Sequence, residues 1–372
     1  MAAVLPTAMQ GRVIDAARAT KLMIAAVVLL AVLPVLHLVF PEGSALHISS
    51  FTIAVLGKFM CYAIAAVALD LVWGYTGILS LGHGLFFALG GYMEGMYLMR
   101  SIGRDGVYHS DLPDFMVFLD WKAYPWYWSF TEHFWYCALL VVLVPGILAF
   151  VFGFFAFRSR IKGVYFSIIT QALTFAAMLL FFRNNTGFGG NNGFTDFKRI
   201  LGFDVTSPTT RAVLYWVTLL VLIGTFLFAR KLVRSKLGRV LTGIRDAENR
   251  LMFVGYDSLW FKLFIWTLSA VLCGIAGALY VPQVGIINPG EMSPANSIEM
   301  VVWVASGGRG TLIGPIMGAA AVNGMKTLFT NLFPEFWLFV LGFTFVGVTL
   351  FMPQGIVGVL RKLSARLAKR AD

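Results

Sequence analysis

Three observations predict an all-α polytopic membrane protein. Hydrophobic residues make up 59% of the 372-residue chain, and charged residues make up only 13%. A soluble domain carries roughly a quarter charged residues. The apolar residues also gather into runs near the ~20 residues that a helix needs to cross ~30 Å of hydrocarbon. These runs are 22–40, 51–72, 78–99, 134–157, 164–182, 212–229, 259–281, 312–330 and 336–352. A shorter piece, 297–306, stops at "GGRG" and reads as a broken helix. Counting it as a crossing gives about ten spans, both ends on one side, in a single transmembrane domain over 1–372.

The first run follows Arg12, Arg18 and Lys21, as a signal peptide would, but ends in "VFPEG" without a small-x-small cleavage site. It reads as a retained span. The net charge of +11 sits in short loops and tails, as expected of Lys and Arg kept on the cytoplasmic side. With no soluble basic domain, nucleic-acid binding is excluded. Cys61, Cys137 and Cys273 fall inside apolar runs and read as buried thiols.

Charge orients the spans. Arg230, Lys231, Arg234, Lys236, Arg239, Arg245 and Arg250 crowd one loop; the turn "RSRIKG" (158–163) and the tail "RKLSARLAKR" (361–370) are also basic. All three belong inside, with both termini. The loop 101–133, with Asp105, Asp111, Asp114, Asp120 and Glu132, belongs outside; its aromatics suit an interfacial belt better than a folded unit. The loop 183–211 is also assigned outside, although it carries Arg183, Lys198, Arg199 and Arg211.

Between two strongly apolar runs lies "GRVLTGIRDAENRLMFVGYDSL" (238–259). At 100° per residue, Ile244, Ala247, Leu251 and Val254 fall within about 40° of Val240. Arg245, Asp246, Asn249 and Arg250 lie away from this stripe. The spacing predicts an amphipathic helix of about four turns, ended by Gly255. A lipid-surface helix is one reading. Asp246 and Glu248 beside Arg245 favour the other, a helix docked on a soluble partner.

At this point the chain resembles a known family. "AENRLMFVG" (247–255), before a late span, looks like the coupling segment of bacterial ABC importer permeases. "GILSLGHGLFFALGGY" (77–92), "GVYFSIITQAL" (163–173), "NNTGFGGNNGF" (184–194), 238–280, 287–319 and "FMPQGIVG" (351–358) resemble the branched-chain amino acid type. "RNNTGFGGNNGFTDFK" (183–198) and "YVPQVGIINPGEMSPANSIE" (280–299) look most like its urea, or short-chain amide, permease subunit. The resemblance implies an ABC permease fold in the bacterial inner membrane, no catalysis by this chain, and segment 230–258 as the ATPase contact. It also implies two ABC ATPases carrying ATP and Mg, a second permease and an extracytoplasmic substrate-binding protein. The sequence itself has no G-x-x-x-x-G-K-[ST] phosphate loop, since "LGKF" (56–59) lacks the pattern, so ATP must bind elsewhere.

Glycine-broken helices at membrane depth line cavities or are buried in protein. Two places qualify: the cluster Gly82, Gly84, Gly90 and Gly91 around His83, and "SGGRGTLIGPIMGAAAVNG" (306–324). Glycine there serves close packing more often than a pore. Asp70, Glu94, Glu299 and Lys326 are ionisable groups at membrane depth and must face protein or water. Lys58, near an outer end, can snorkel. A urea pathway would use uncharged hydrogen-bonding groups, and the candidates are His83, Thr170, Gln171, Asn191, Asn192, Gln283 and Asn288, with Glu299 at the broken piece. The loop 184–193 could dock the binding protein. The main expectation is urea import, the runner-up branched-chain amino acid import. A stand-alone secondary transporter or channel using Asp70 and Glu299 as proton sites is the alternative from another class.

Overall fold

The structure is a computed structural model that describes residues 7–41, 43–44, 46–332, 334–336, 339, 342–343, 346–347 and 355–359, leaving out the side chains of 7–20, 22, 331 and 334. The expected span 336–352 and the basic tail therefore lie largely outside the described residues.

Eleven α-helices follow one another among the described residues: α1 (Thr7–Val39), α2 (Ser50–Thr76), α3 (His83–Arg100), α4 (Asp114–Phe118), α5 (Phe134–Arg158), α6 (Val164–Phe181), α7 (Pro208–Arg234), α8 (Lys236–Phe253), α9 (Ser258–Val284), α10 (Pro294–Gly307) and α11 (Ile313–Leu332). Five of them, α2, α5, α6, α7 and α9, are long and apolar enough to cross a membrane. That corrects the expectation of about ten. Met23–Val39 is apolar but shorter. The 14 residues of α10 reach only about 21 Å at ~1.5 Å per residue. The helix α3 carries His83, Glu94 and several glycines, yet every residue but Arg100 is buried. A helix enclosed by protein needs no lipid-facing apolar coat, so hydropathy understates it.

The core is built on α3 and α9. A Cβ on Gly90 would strike the carbonyl of Gly274, and one on Gly277 would strike the carbonyl of Phe87. The two backbones touch through facing glycines, the packing that small residues permit where hydrophobic attraction between helices is absent. Trp266 of α9 reaches across to donate to the Ala149 carbonyl of α5 at 2.9 Å.

The run 78–99 is not helical from its start. Gly77, at φ 75°, ends α2, and α3 begins at His83. Between them Leu81 N donates to Thr170 Oγ1, and Ser167 Oγ donates to the Leu79 carbonyl. These bonds satisfy backbone that would otherwise be orphaned at depth.

The loop 101–133 differs from the expected belt. Trp128 and Met116 are fully buried, and Arg100 pairs with Glu132 at 2.7 Å beneath Tyr124. Trp126 and Trp135 remain exposed. This loop closes over 183–211, where Arg199 pairs with Asp105 at 2.8 Å and Tyr127 Oη donates to the Thr186 carbonyl. The two loops thus share one side, and Arg199 is neutralised there. At the opposite ends of the helices, Lys162 of the 158–163 turn pairs with Glu248 of α8 at 2.9 Å.

Candidate functional site

Two polar constellations stand out. The first joins α8 to the bundle. Its expected continuous helix is broken: Ala247 has φ −159° and ψ 62°, so α8 is two helices across a kink. Gly255, at φ 94°, lies just beyond its end, where the left-handed backbone favours glycine. The stripe is also redirected. Ile244 is buried with Leu241 in a cluster containing Val67, Leu71, Phe226 and Ile265 of this same chain. Val240, Ala247 and Leu251 are half-buried, and Leu251 folds back over Gly243. Only Val254 of the stripe is well exposed, and it adjoins Phe253, which is 91% exposed. Helical spacing marks the apolar face but not what covers it, and the kink at Ala247 turns the second half against the first.

Charged side chains anchor the kink. Glu248 accepts from Lys262 and from Ser258 Oγ (2.7 Å), and pairs with Lys162. Burial alone would raise its pKa, but those three donors outweigh it and hold the carboxyl down at about 2. Arg245 donates to the Gly74 carbonyl at 2.8 Å and pairs with Asp246, whose carboxyl this hydrogen bond holds below its usual range. A cavity of about 180 Å³ lies between these groups, Thr76 and Phe166.

The second constellation lies where the chain leaves α9. After Gly285 the backbone turns inward: Ile287 is fully buried against Gly91 and Gly95 of α3, and pairs in a short antiparallel ladder with Phe194. Pro289 and Met292 are buried too. Ser297, in the first turn of α10, accepts from Gly84 N at the start of α3. Irregular backbone buried among helices in this way is what a broken span requires.

Around this break, Glu291 accepts from Tyr280 Oη at 3.1 Å and Asn296 Nδ2 at 3.3 Å. Lys58 Nζ stands 5.6 Å from the Tyr62 ring centre and 5.8 Å from that of Tyr280. Tyr62 packs on Trp303 at 4.7 Å. Lys326 Nζ donates to both oxygens of Glu299, at 2.8 and 3.1 Å. The snorkelling expected of Lys58 is therefore corrected, since its ammonium turns to aromatic faces within the protein.

The other candidates separate. His83 is buried between Ser80 Oγ (3.1 Å) and Ser269 Oγ (2.8 Å), edge-on to Trp266. Thr170 braces the 78–82 loop. Gln283 bonds Thr218 Oγ1 at 2.6 Å between α9 and α7. Asn288 caps the turn at Gly290. Gln171 is half-buried on α6, while Asn191 and Asn192 are exposed in the glycine loop. Asp70 accepts from Gly310 N (2.7 Å) and Leu312 N (3.3 Å), pinning the turn before α11. Of the expected pathway residues, Asn288 and Glu299 belong to the second constellation. Glu291, Tyr62, Tyr280 and Trp303 were missed and Lys58 was set aside as a snorkelling residue; the two carboxylates within "GEMSPANSIEM" were the available signal.

Residues 51–349 match the family described as the branched-chain amino acid transport system / permease component. The chain belongs to this family. It is a multi-pass, non-catalytic permease subunit of a bacterial ABC importer. It is 27% identical over 335 residues to the high-affinity branched-chain amino acid transport system permease protein LivM of Salmonella typhimurium, covering 83% of this chain and 71% of that one. The probable LivM of Methanocaldococcus jannaschii is 26% identical over 286 residues, covering 73% and 79%. BraD of Pseudomonas aeruginosa is 24% identical over 311 residues, covering 80% and 91%. No solved structure matches. These relatives overturn the expectation of urea, since their printed names are of branched-chain amino acid transport. Of the two stretches that suggested urea, one forms the glycine loop and its ladder, and the other the break before α10.

Proposed function

We propose that this chain is one membrane subunit of an ATP-driven importer of branched-chain amino acids. The observation that carries the reading is the resemblance to the LivM proteins across most of the chain. In this reading the subunit sits in the inner membrane with both termini and 230–258 in the cytoplasm. It pairs with a second permease, two ATPases and an extracytoplasmic binding protein. The whole of 1–372 acts as one permease domain. Segment 230–258 transmits force through the exposed tip Met252–Val254, while Ile244, Arg245 and Glu248 tie it to the bundle.

The test is uptake by the reconstituted complex, with permeases, ATPases and binding protein in proteoliposomes. ATP-dependent accumulation of radiolabelled leucine but not of radiolabelled urea is expected. Urea accumulation without leucine would refute the reading.

A further inference from the structure

We propose that Lys58 and Glu291, walled by Tyr62, Tyr280 and Trp303, bind a zwitterionic amino acid in transit, Lys58 taking its carboxylate and Glu291 its ammonium. The inference rests on the amino acid import reading and locates the substrate within it.

Five helical or turn elements converge at this place: α2, α9, the turn before α10, α10 itself and α11. Discontinuous helices at depth are where transporters gather their substrate groups. Charge is the first argument. Lys58 and Lys326 face Glu291 and Glu299, two cations against two anions, and the Lys58 ammonium feels all three of the others. Among the described residues these charges balance, as those of a zwitterion do.

Pairing is the second argument. Glu299 and Lys326 satisfy each other. Lys58 and Glu291 do not pair; among the described residues, Lys58 has ring faces and Glu291 has a phenol and an amide. Opposite charges that converge on one tyrosine, each held by groups weaker than an ion pair, match a ligand carrying both charges on adjacent carbons. Tyr280 links them, since its ring faces Lys58 and its hydroxyl bonds Glu291. Trp303 is the third argument: its buried Nε1–H finds no acceptor among the described residues. Such a donor is costly unless a carboxylate or carbonyl arrives. The same three aromatic rings supply apolar surface for a branched aliphatic side chain. Urea, with no charge, would leave both Lys58 and Glu291 uncompensated.

The test uses the complete reconstituted transporter. Lys58→Met and Glu291→Gln should each reduce initial leucine uptake at least tenfold. Retention of the ATPase subunits through purification controls for assembly. Lys58→Arg should restore most of the uptake. Photo-leucine, irradiated in the unmutated transporter, should label peptides containing Tyr62, Tyr280 or Trp303, with leucine competing and urea not. That arm decides the matter if the variants fail to assemble. Absence of leucine uptake by the wild type overturns the import reading itself. Uptake that survives both substitutions, or photo-leucine label confined to other peptides, overturns this site and leaves the import reading standing.

Discussion

Replacing Glu248 with Gln separates the fixed part of α8 from the part free to meet a partner. The substitution keeps the side chain's shape and removes its charge. Lys262, only 9% exposed, would then lose its counter-charge, while Lys162 is half in water and would lose little. Breaking a fully buried pair costs about 3–5 kcal/mol and an exposed one about 0–1 kcal/mol. Glu248 is 16% exposed, so the loss should be about 2 kcal/mol, near 30-fold in the docking equilibrium of α8. The assay is hydrogen–deuterium exchange on 236–257 in purified protein, where protection should fall by about that factor. Asp246→Asn, on the exposed side, is the control and should change exchange little. pH supplies a second arm. The folded pKa of Glu248, about 2, lies below its unfolded value. Its contribution is therefore full above the ordinary glutamate range near ~4.3 and fades as pH falls toward about 2. Wild-type protection of α8 should weaken across that window, and Glu248→Gln should be flat. Unchanged exchange in Glu248→Gln, or an identical acid profile, would refute the anchoring role.

Further outcomes follow from the same geometry. Phe253→Glu should leave folding intact, since the ring is 91% exposed, but should lower co-purification of the ATPase at least tenfold; full retention would end the reading of this tip as the coupling contact. Leu251→Asp, by contrast, should destabilise the chain itself by about 1–3 kcal/mol, because Leu251 packs on Gly243, and thermal unfolding of the isolated subunit reads this directly. Asp70→Asn should cost about 2 kcal/mol by weakening two charge-assisted bonds to Gly310 and Leu312, seen as faster amide exchange over 308–312. Gly277→Val should force α3 and α9 apart at the Phe87 carbonyl and lower the unfolding midpoint sharply; an unchanged midpoint would contradict the glycine contact.

The sequence by itself determined the class of the molecule. Apolar length is a local property, so α2, α5, α6, α7 and α9 could be counted along the chain. Charge bias grouped the basic turn 158–163 with 230–258, and the Lys162–Glu248 pair places them together. The motifs of 77–92 and 238–280 carried the family, and Gly255 was legible as the end of α8. Tertiary structure decided the rest. The sequence counted 78–99 as a span, but the enclosure of α3, and its start only at His83, depend on α5 and α9 lying against it. The amphipathic spacing separated the covered residues Val240, Ile244, Ala247 and Leu251 from the exposed Arg245, Asp246, Asn249 and Arg250, but did not show that Ile244 packs on this chain's own helices or that α8 kinks at Ala247. The second constellation is the clearest case. Lys58, Glu291, Glu299 and Lys326 come from α2, the turn before α10, α10 and α11, and only packing brings together charges that lie more than 200 residues apart. No spacing rule along a chain encodes such a meeting, because it is fixed by long-range contacts between helices and by the inward fold of 285–293.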